Sequence, residues 1–478
     1  MIIGLRQRSM TETLIVVHCI TSEVYMLYSF WGMQVAHAIS WRRQYPMRSD
    51  VSGGLHHTKE VQNSIGDYHI PPESQLCGRR DLLQALGVGI ASLLWPMPAA
   101  FAQQSRGQNL KSQFAFKNGL SSTGWIGFDM PENRYIVLTG MLNQERAEFI
   151  LDSGVGSMVL DLSLAAKLGL QPEHESTAVS ITGVASVTAM GGLTVSIGNL
   201  VLTTPETMAL DLSSFSVATS RPIHAVLGRD IFAPLIVDID FEARKIAFRN
   251  PKMPAAITGA RIVPLLPSNF GRKLSISIEG QRPIEALFDL GSDTPLIISP
   301  DYVQRQQLFQ GKKTSTSLSV GAAGPEENQV AVIKATEIGG IFLHDIPVSV
   351  PNQWALDVQA VVGVPILSRF RLMTDFGRDL IWMLANKGAE TQAFQKDRLG
   401  MAAMPANDCL RVVHVSPGSP AAAAGLKVGD EVVAVNDQIV DTEYLKSRPR
   451  QGMKPSGTML NVRLRSGSNL AIRLADYY

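Results

Sequence analysis

Cysteine is scarce in this chain: Cys19, Cys77 and Cys409 are the only three among 478 residues. A disulfide framework is thereby excluded, and none of the three has a partner at metal-ligand spacing. Charge is thin as well, at 18% of residues with a net of +1. Lys and Arg are scattered rather than clustered, so the electrostatic footprint of a nucleic-acid binder is missing and no nucleic-acid partner is expected. His174, His224, His344 and His414 share no ligand spacing, so neither a metal site nor a cofactor is expected. No Gly-x-Ser-x-Gly and no His-Glu-x-x-His occurs, which removes the usual signatures of serine hydrolases and zinc peptidases. No apolar run is long enough to span a bilayer as a helix, so the mature form is expected to have no stable membrane span.

What is present is hydrophobic bulk, 45% of residues, enough for large cores. With roughly 150 residues per domain, the length implies about three domains. Residues 1 to about 75 show no sustained helical or strand period and resemble an over-extended gene start. Next come Gly78-Arg79-Arg80-Asp81-Leu82-Leu83-Gln84, an apolar run from Ala85 to Trp95, and Ala100-Phe101-Ala102 before Gln103. That order, basic then apolar then small residues at −3 and −1, is that of an export signal over about 78–102. Its paired arginines resemble a twin-arginine signal. The alternative is a short buried helix. Export predicts a mature start at Gln103, a periplasmic or secreted location, and Cys409 as the single remaining cysteine.

From residue 120 to 250 the chain reads as short strands separated by Gly, Pro, Asn and Ser. Its centre is Phe149-Ile150-Leu151-Asp152-Ser153-Gly154-Val155-Gly156-Ser157, an apolar strand running into an acid at a sharp turn. Residues 260–386 repeat the order. Ala286-Leu287-Phe288-Asp289-Leu290-Gly291-Ser292-Asp293-Thr294 again places an acid after an apolar strand, with Gly two positions on and a hydroxyl residue at the fifth. Gly228 in Val226-Leu227-Gly228 follows Asp152 by 76 residues, and Gly363 in Val361-Val362-Gly363 follows Asp289 by 74. Matched offsets of this kind are the mark of duplication. Hairpins bearing Gly183 and Gly321 occupy corresponding places as candidate flaps, with ordinary glycine hairpins as the alternative. Asp238, Asp240 and Asp375 read as surface or capping acids at strand ends.

These residues resemble the retropepsin-like aspartic proteases. Asp152-Ser153-Gly154 with Ser157, and Leu227-Gly228-Arg229-Asp230, match that family's pattern in the first half; Asp289, Gly291 and Thr294 match in the second, where Leu290 replaces the usual Thr or Ser. The resemblance covers about residues 120–390 and implies an all-β, single-chain pseudo-dimer with one site between two lobes. It implies that Asp152 and Asp289 form the catalytic dyad, one ionised to activate water and one protonated to donate to the scissile carbonyl oxygen. It also implies that the hydroxyl in the middle of each motif locks the two turns together, which Ser153 can do and Leu290 cannot. Ser153 as a nucleophile has no identifiable base.

After a polar linker, 387–396, the segment 397–478 resembles a small α+β PDZ domain of the bacterial, protease-associated kind. The motif is Ser416-Pro417-Gly418-Ser419-Pro420, an Ala-rich helix ending at Gly425, and Val428-Gly429-Asp430 before a strand that turns at Asn436. The resemblance implies binding of a peptide C-terminus, with Leu399-Gly400-Met401 as the carboxylate loop; a plain strand entry is the alternative. The sequence thus predicts an exported aspartic endopeptidase acting on polypeptides, with a PDZ module for substrate or partner tails. The rivals are a protease-like scaffold that has lost hydrolysis and a dyad formed by two copies of Asp152 from paired chains.

Overall fold

The computed structural model describes residues 112–478, apart from 182, 322–323 and 448–449, and three strands near the start of the chain. Those strands, Ile15–Ile20, Glu23–Phe30 and Met33–Val35, pair in order as an antiparallel sheet and belong to a separate unit ending at Gln75. The sequence reading saw no period there. The segments are instead rich in β-branched and aromatic residues, and composition rather than alternation marks them. The expected export signal, 78–102, and the cleavage point lie outside the described residues.

Two eight-stranded sheets and one six-stranded sheet form the all-β body that precedes the PDZ module. In the first lobe, Glu145–Leu151 pairs antiparallel with Val137–Leu142 and parallel with Ala225–Leu227. In the second, Ile284–Phe288 pairs antiparallel with Gly271–Ile278 and parallel with Ala360–Val362. The segments that pair in parallel, 149–151 with 225–227 and 286–288 with 360–362, are apolar throughout and buried, as expected where both faces are covered. The strand after each acid turn, Val159–Asp161 or Leu296–Ile298, leads into a helix: Leu162–Lys167 capped by Asp161, and Pro300–Arg305 capped by Ser299. The repeat read from spacing is therefore a repeat of topology.

The closing strand pairs do not stay within their own lobes. Ile236–Asp240 pairs with Phe370–Asp375 across the pseudo-dyad, Val237 opposite Thr374, and each is flanked by its hairpin partner, Lys245–Arg249 or Leu380–Ala385. One sheet thus belongs to both lobes. Its centre corrects the reading of Asp238 as a surface or capping acid: its side chain is 1% exposed in mid-strand, paired with Arg249 at 2.7 Å and Arg371 of the other lobe at 3.3 Å. Such a buried acid persists because two guanidiniums compensate it. Asp375 is buried at a strand end and braces the Arg378 turn, and Asp240 accepts from the Ala243 N–H. Phe232 stacks on Phe376 with centroids 5.2 Å apart, and one hydrophobic core runs through both lobes.

The linker 387–396 is not a free tether. Ala389 and Phe394 are buried, and Arg369 donates to the Ala389 carbonyl while lying 3.7 Å above the Phe394 ring. The PDZ module then forms from Met401–Ala406, Cys409–Val415, Glu431–Val435, Met459–Leu464 and Asn469–Arg473, with helices Pro420–Ala423 and Thr442–Ser447. Cys409 is buried and unpaired. Among the described residues, no helix is long and apolar enough to cross a membrane.

Candidate active site

Each acid is held by the strand that follows it in space. The Asp152 N–H donates to Leu227 O at 3.0 Å, and the Asp289 N–H to Val362 O at 3.1 Å, extending the parallel pairings by one residue. Beyond these strands the two glycines let the backbone pass under the turn. A Cβ at Gly228 would lie 2.4 Å from Val155 O, and one at Gly363 would lie 2.1 Å from Thr294 O. Both glycines are therefore sterically required, which explains the hydrophobic-hydrophobic-Gly spacing. Arg229 and Asp230 extend the first turn: Asp230 accepts from the Met158 N–H at 2.5 Å and the Ser112 hydroxyl at 2.7 Å.

Asp152 and Asp289 are brought together, 1% and 0% exposed, with their carboxyl groups hydrogen-bonded to each other. The second residue after each acid donates back to it: Gly154 N–H to Asp152 Oδ1 at 2.8 Å, and Gly291 N–H to Asp289 Oδ1 at 2.8 Å. Gly291 also packs against the opposite acid so closely that a Cβ there would fall 2.1 Å from Asp152 Cγ. Burial pushes the Asp152 carboxyl up to about 6, opposed by the Gly154 N–H. Asp289 is raised further, by burial first and by the Asp152 charge second. A pair so placed loses one proton and retains the other, and the two acids titrate as a unit.

Ser153 forms the lock expected of it. Its hydroxyl donates to Phe288 O at 2.9 Å and accepts from the Leu290 N–H at 3.0 Å, spanning the lobes in both directions. Leu290 makes no polar counterpart with its side chain; it is fully buried in the shared core. One hydroxyl thus ties the turns together while an apolar contact occupies the symmetric place. Ser157 lies in the turn with its hydroxyl oxygen buried and unpartnered among the described residues, and the Thr294 N–H donates to Ser292 Oγ at 3.3 Å.

The two hairpins diverge. In the first lobe, Pro172–Ser180 and Gly183–Ile197 carry the tip across to the second lobe, where Ile181 is buried among Phe270, Leu287 and Leu356 and its carbonyl accepts from the Ala355 N–H at 2.9 Å. In the second lobe, Ser315–Gly321 with Gly324–Ile338 leans instead on the PDZ module: Ser315 Oγ donates to Pro417 O at 2.6 Å, and Thr316 Oγ1 lies 3.1 Å from His414 Nε2. Gly183 and Gly321 therefore stand at hairpin ends with different docking partners.

Sequence reasoning missed Arg134 and Asp293. They form a buried pair between lobes, Arg134 Nε donating to Asp293 Oδ2 at 2.6 Å, four residues beyond Asp289. The signal available was Asp293 itself, a second acid in the short turn between two apolar strands. Glu173, His174 and Glu206 also bring ligand-type atoms within 4.8 Å of one another on exposed strands, a grouping across strands that linear spacing conceals. At the PDZ module, Leu399, Gly400 and Met401 enter the edge strand. The Leu399 and Gly400 N–H groups are bonded to Asp397, at 3.2 and 2.6 Å.

The family comparison matches this geometry. A model described as aspartyl protease matches residues 138–231 and again 274–366, each segment containing one acid turn and its glycine strand. A PDZ domain model matches 411–445. The chain carries two tandem lobes that are aspartyl-protease-like, followed by a small PDZ domain. Among solved structures, basic 7S globulin from soybean is similar at 10% identity and a TM-score of 0.35, over 56% of this chain and 98% of that one. No curated protein matches the sequence.

Proposed function

We propose that this chain is an aspartic endopeptidase in which Asp152 and Asp289 act on one water between the protease lobes. The observation that carries the reading is the pair itself: two buried, mutually hydrogen-bonded carboxyls on duplicated turns, both pushed up by burial. Asp152, ionised, takes a proton from the water as it attacks the scissile carbonyl carbon. Asp289, protonated, donates to the carbonyl oxygen, so the tetrahedral intermediate forms without a free oxyanion. Collapse returns a proton to the leaving amine and releases two peptide ends. Both acids are buried, so substrate reaches them only after the lobes or a hairpin move, and the first-lobe hairpin docked through Ile181 is the candidate for that movement.

The PDZ module serves this chemistry by holding polypeptide beside the lobes. An exported location follows from the signal expected at 78–102, and a mature mass beginning at Gln103 tests it. The function is tested by cleavage of a reduced, denatured protein from pH 3 to 9. Activity should rise through about pH 6 as the pair loses its first proton, and Asp152→Asn should reduce it at least 1000-fold. A wild-type chain inactive at every pH supports the rival reading, a protease-like binding protein.

A further inference from the structure

The loop that resembles a carboxylate-binding loop already holds a carboxylate of its own. Asp397 accepts from the Leu399 N–H through Oδ1 and from the Gly400 N–H through Oδ2. A third donor, the Tyr477 hydroxyl, reaches Oδ2 at 2.9 Å. The niche is shaped around this side chain: a Cβ on Gly452 would fall 1.9 Å from Asp397 Oδ1. Burial and the adjoining Asp397 charge hold the Tyr477 phenol protonated, and so a donor, far into the alkaline range. A ligand's terminal carboxylate placed here would meet a like charge and find its donors engaged, both unfavourable in a partly desolvated site.

The rest of the groove is open. Met401–Ala406 is an edge strand among the described residues, paired only with Cys409–Val415. Beside it lies a cavity of about 830 Å³, bounded by Met401, Ala403 and Tyr444 of the PDZ module and by Ser317 and Ser319 of the second-lobe hairpin. That volume is in the range of sites that enclose a ligand. The cavity reaches Asp293 and Thr294 in the second acid turn. An extended chain added to the edge strand would therefore run between the PDZ module and the protease lobes.

We propose that the PDZ groove binds an internal, extended segment of polypeptide by strand addition to Met401–Ala406, with Asp397 excluding free C-terminal carboxylates. The inference rests on peptide binding by the PDZ module. It is tested in the full chain carrying Asp152→Asn, so that failure to bind is read separately from failure to cleave.

Two random decapeptide libraries, one ending in a free carboxylate and one in a carboxamide, are panned on the immobilised chain. Enriched sequences are then measured in both forms by fluorescence anisotropy. The expected result is that the carboxamide binds as tightly as the free acid, within threefold, or more tightly. Amide exchange over 401–406 should slow on binding. Asp397→Ala, which frees the two N–H groups, should shift preference toward the free acid by tenfold or more. A tenfold preference of the Asp152→Asn chain for free acids overturns the proposal, as does enrichment of neither library, or binding that leaves exchange over 401–406 unchanged. The acid and amide comparison stands alone if Asp397→Ala does not fold.

Discussion

Replacing Ser153 by Ala removes one oxygen and orphans two buried groups. The hydroxyl bonds Phe288 O and the Leu290 N–H at 2.9 and 3.0 Å, in a site where Ser153 is 1% exposed. An unsatisfied buried backbone group costs about 1–3 kcal/mol, so the pair places the loss at roughly 2–4 kcal/mol even with some relaxation. For a two-lobed body of this size that corresponds to a fall in Tm of roughly 3–7 °C. Activity should fall further than stability accounts for, because the same hydroxyl sets the spacing of the two acid turns. Ser153→Thr retains the oxygen and should stay within about 1 kcal/mol of the parent. Denaturant unfolding followed by fluorescence, with cleavage assayed on the folded fraction, separates the two effects. A Ser153→Ala chain within 0.5 kcal/mol of wild type and fully active would refute the claim that one hydroxyl registers the lobes.

Three further outcomes follow from the same geometry. Gly291→Ala should abolish cleavage, since its Cβ would sit 2.1 Å from Asp152 Cγ; a folded variant retaining a tenth of wild-type rate contradicts the packing described. Stability should fall as pH rises from 4 to 8, because acids whose folded pKa is raised favour the native state below their ordinary value and lose that advantage through the folded one. The rise of Asp152 from 3.8 to about 6 corresponds to roughly 3 kcal/mol, so Asp152→Asn should flatten the slope in denaturation at pH 4, 6 and 8, and parallel slopes would speak against a raised acid. Arg134→Met should cost about 3–5 kcal/mol by stranding the Asp293 carboxylate, and Arg134→Met with Asp293→Leu should recover most of it; equal losses in single and double variants would show that the pair is not what matters.

Much of the site was legible because duplication writes itself in spacing. The turns at Asp152 and Asp289, the glycines at 228 and 363, and the departure at Leu290 all depend on contacts that recur at fixed offsets, so comparing the halves reveals them. What escaped depends on partners that no offset predicts. Asp238 reads as a strand-end acid until Arg371, 133 residues away, arrives in the shared sheet. Ile181 reads as part of a glycine hairpin until the second lobe supplies its pocket. Asp397 reads as no more than the first residue of the PDZ segment until the loop folds back and its carboxylate meets the Gly400 N–H. In each case the local sequence specifies the element, and tertiary packing decides what the side chain does.

The central claim is a dyad made within one chain from unlike turns. Its most direct test is the specific rate of protein cleavage by wild type, Asp152→Asn and Asp289→Asn, each measured over a hundredfold range of enzyme concentration. A single-chain dyad predicts a wild-type specific rate independent of concentration and loss of at least 1000-fold in both variants. Activity that survives in Asp289→Asn, or a specific rate that climbs with concentration as two copies of Asp152 meet, would contradict it.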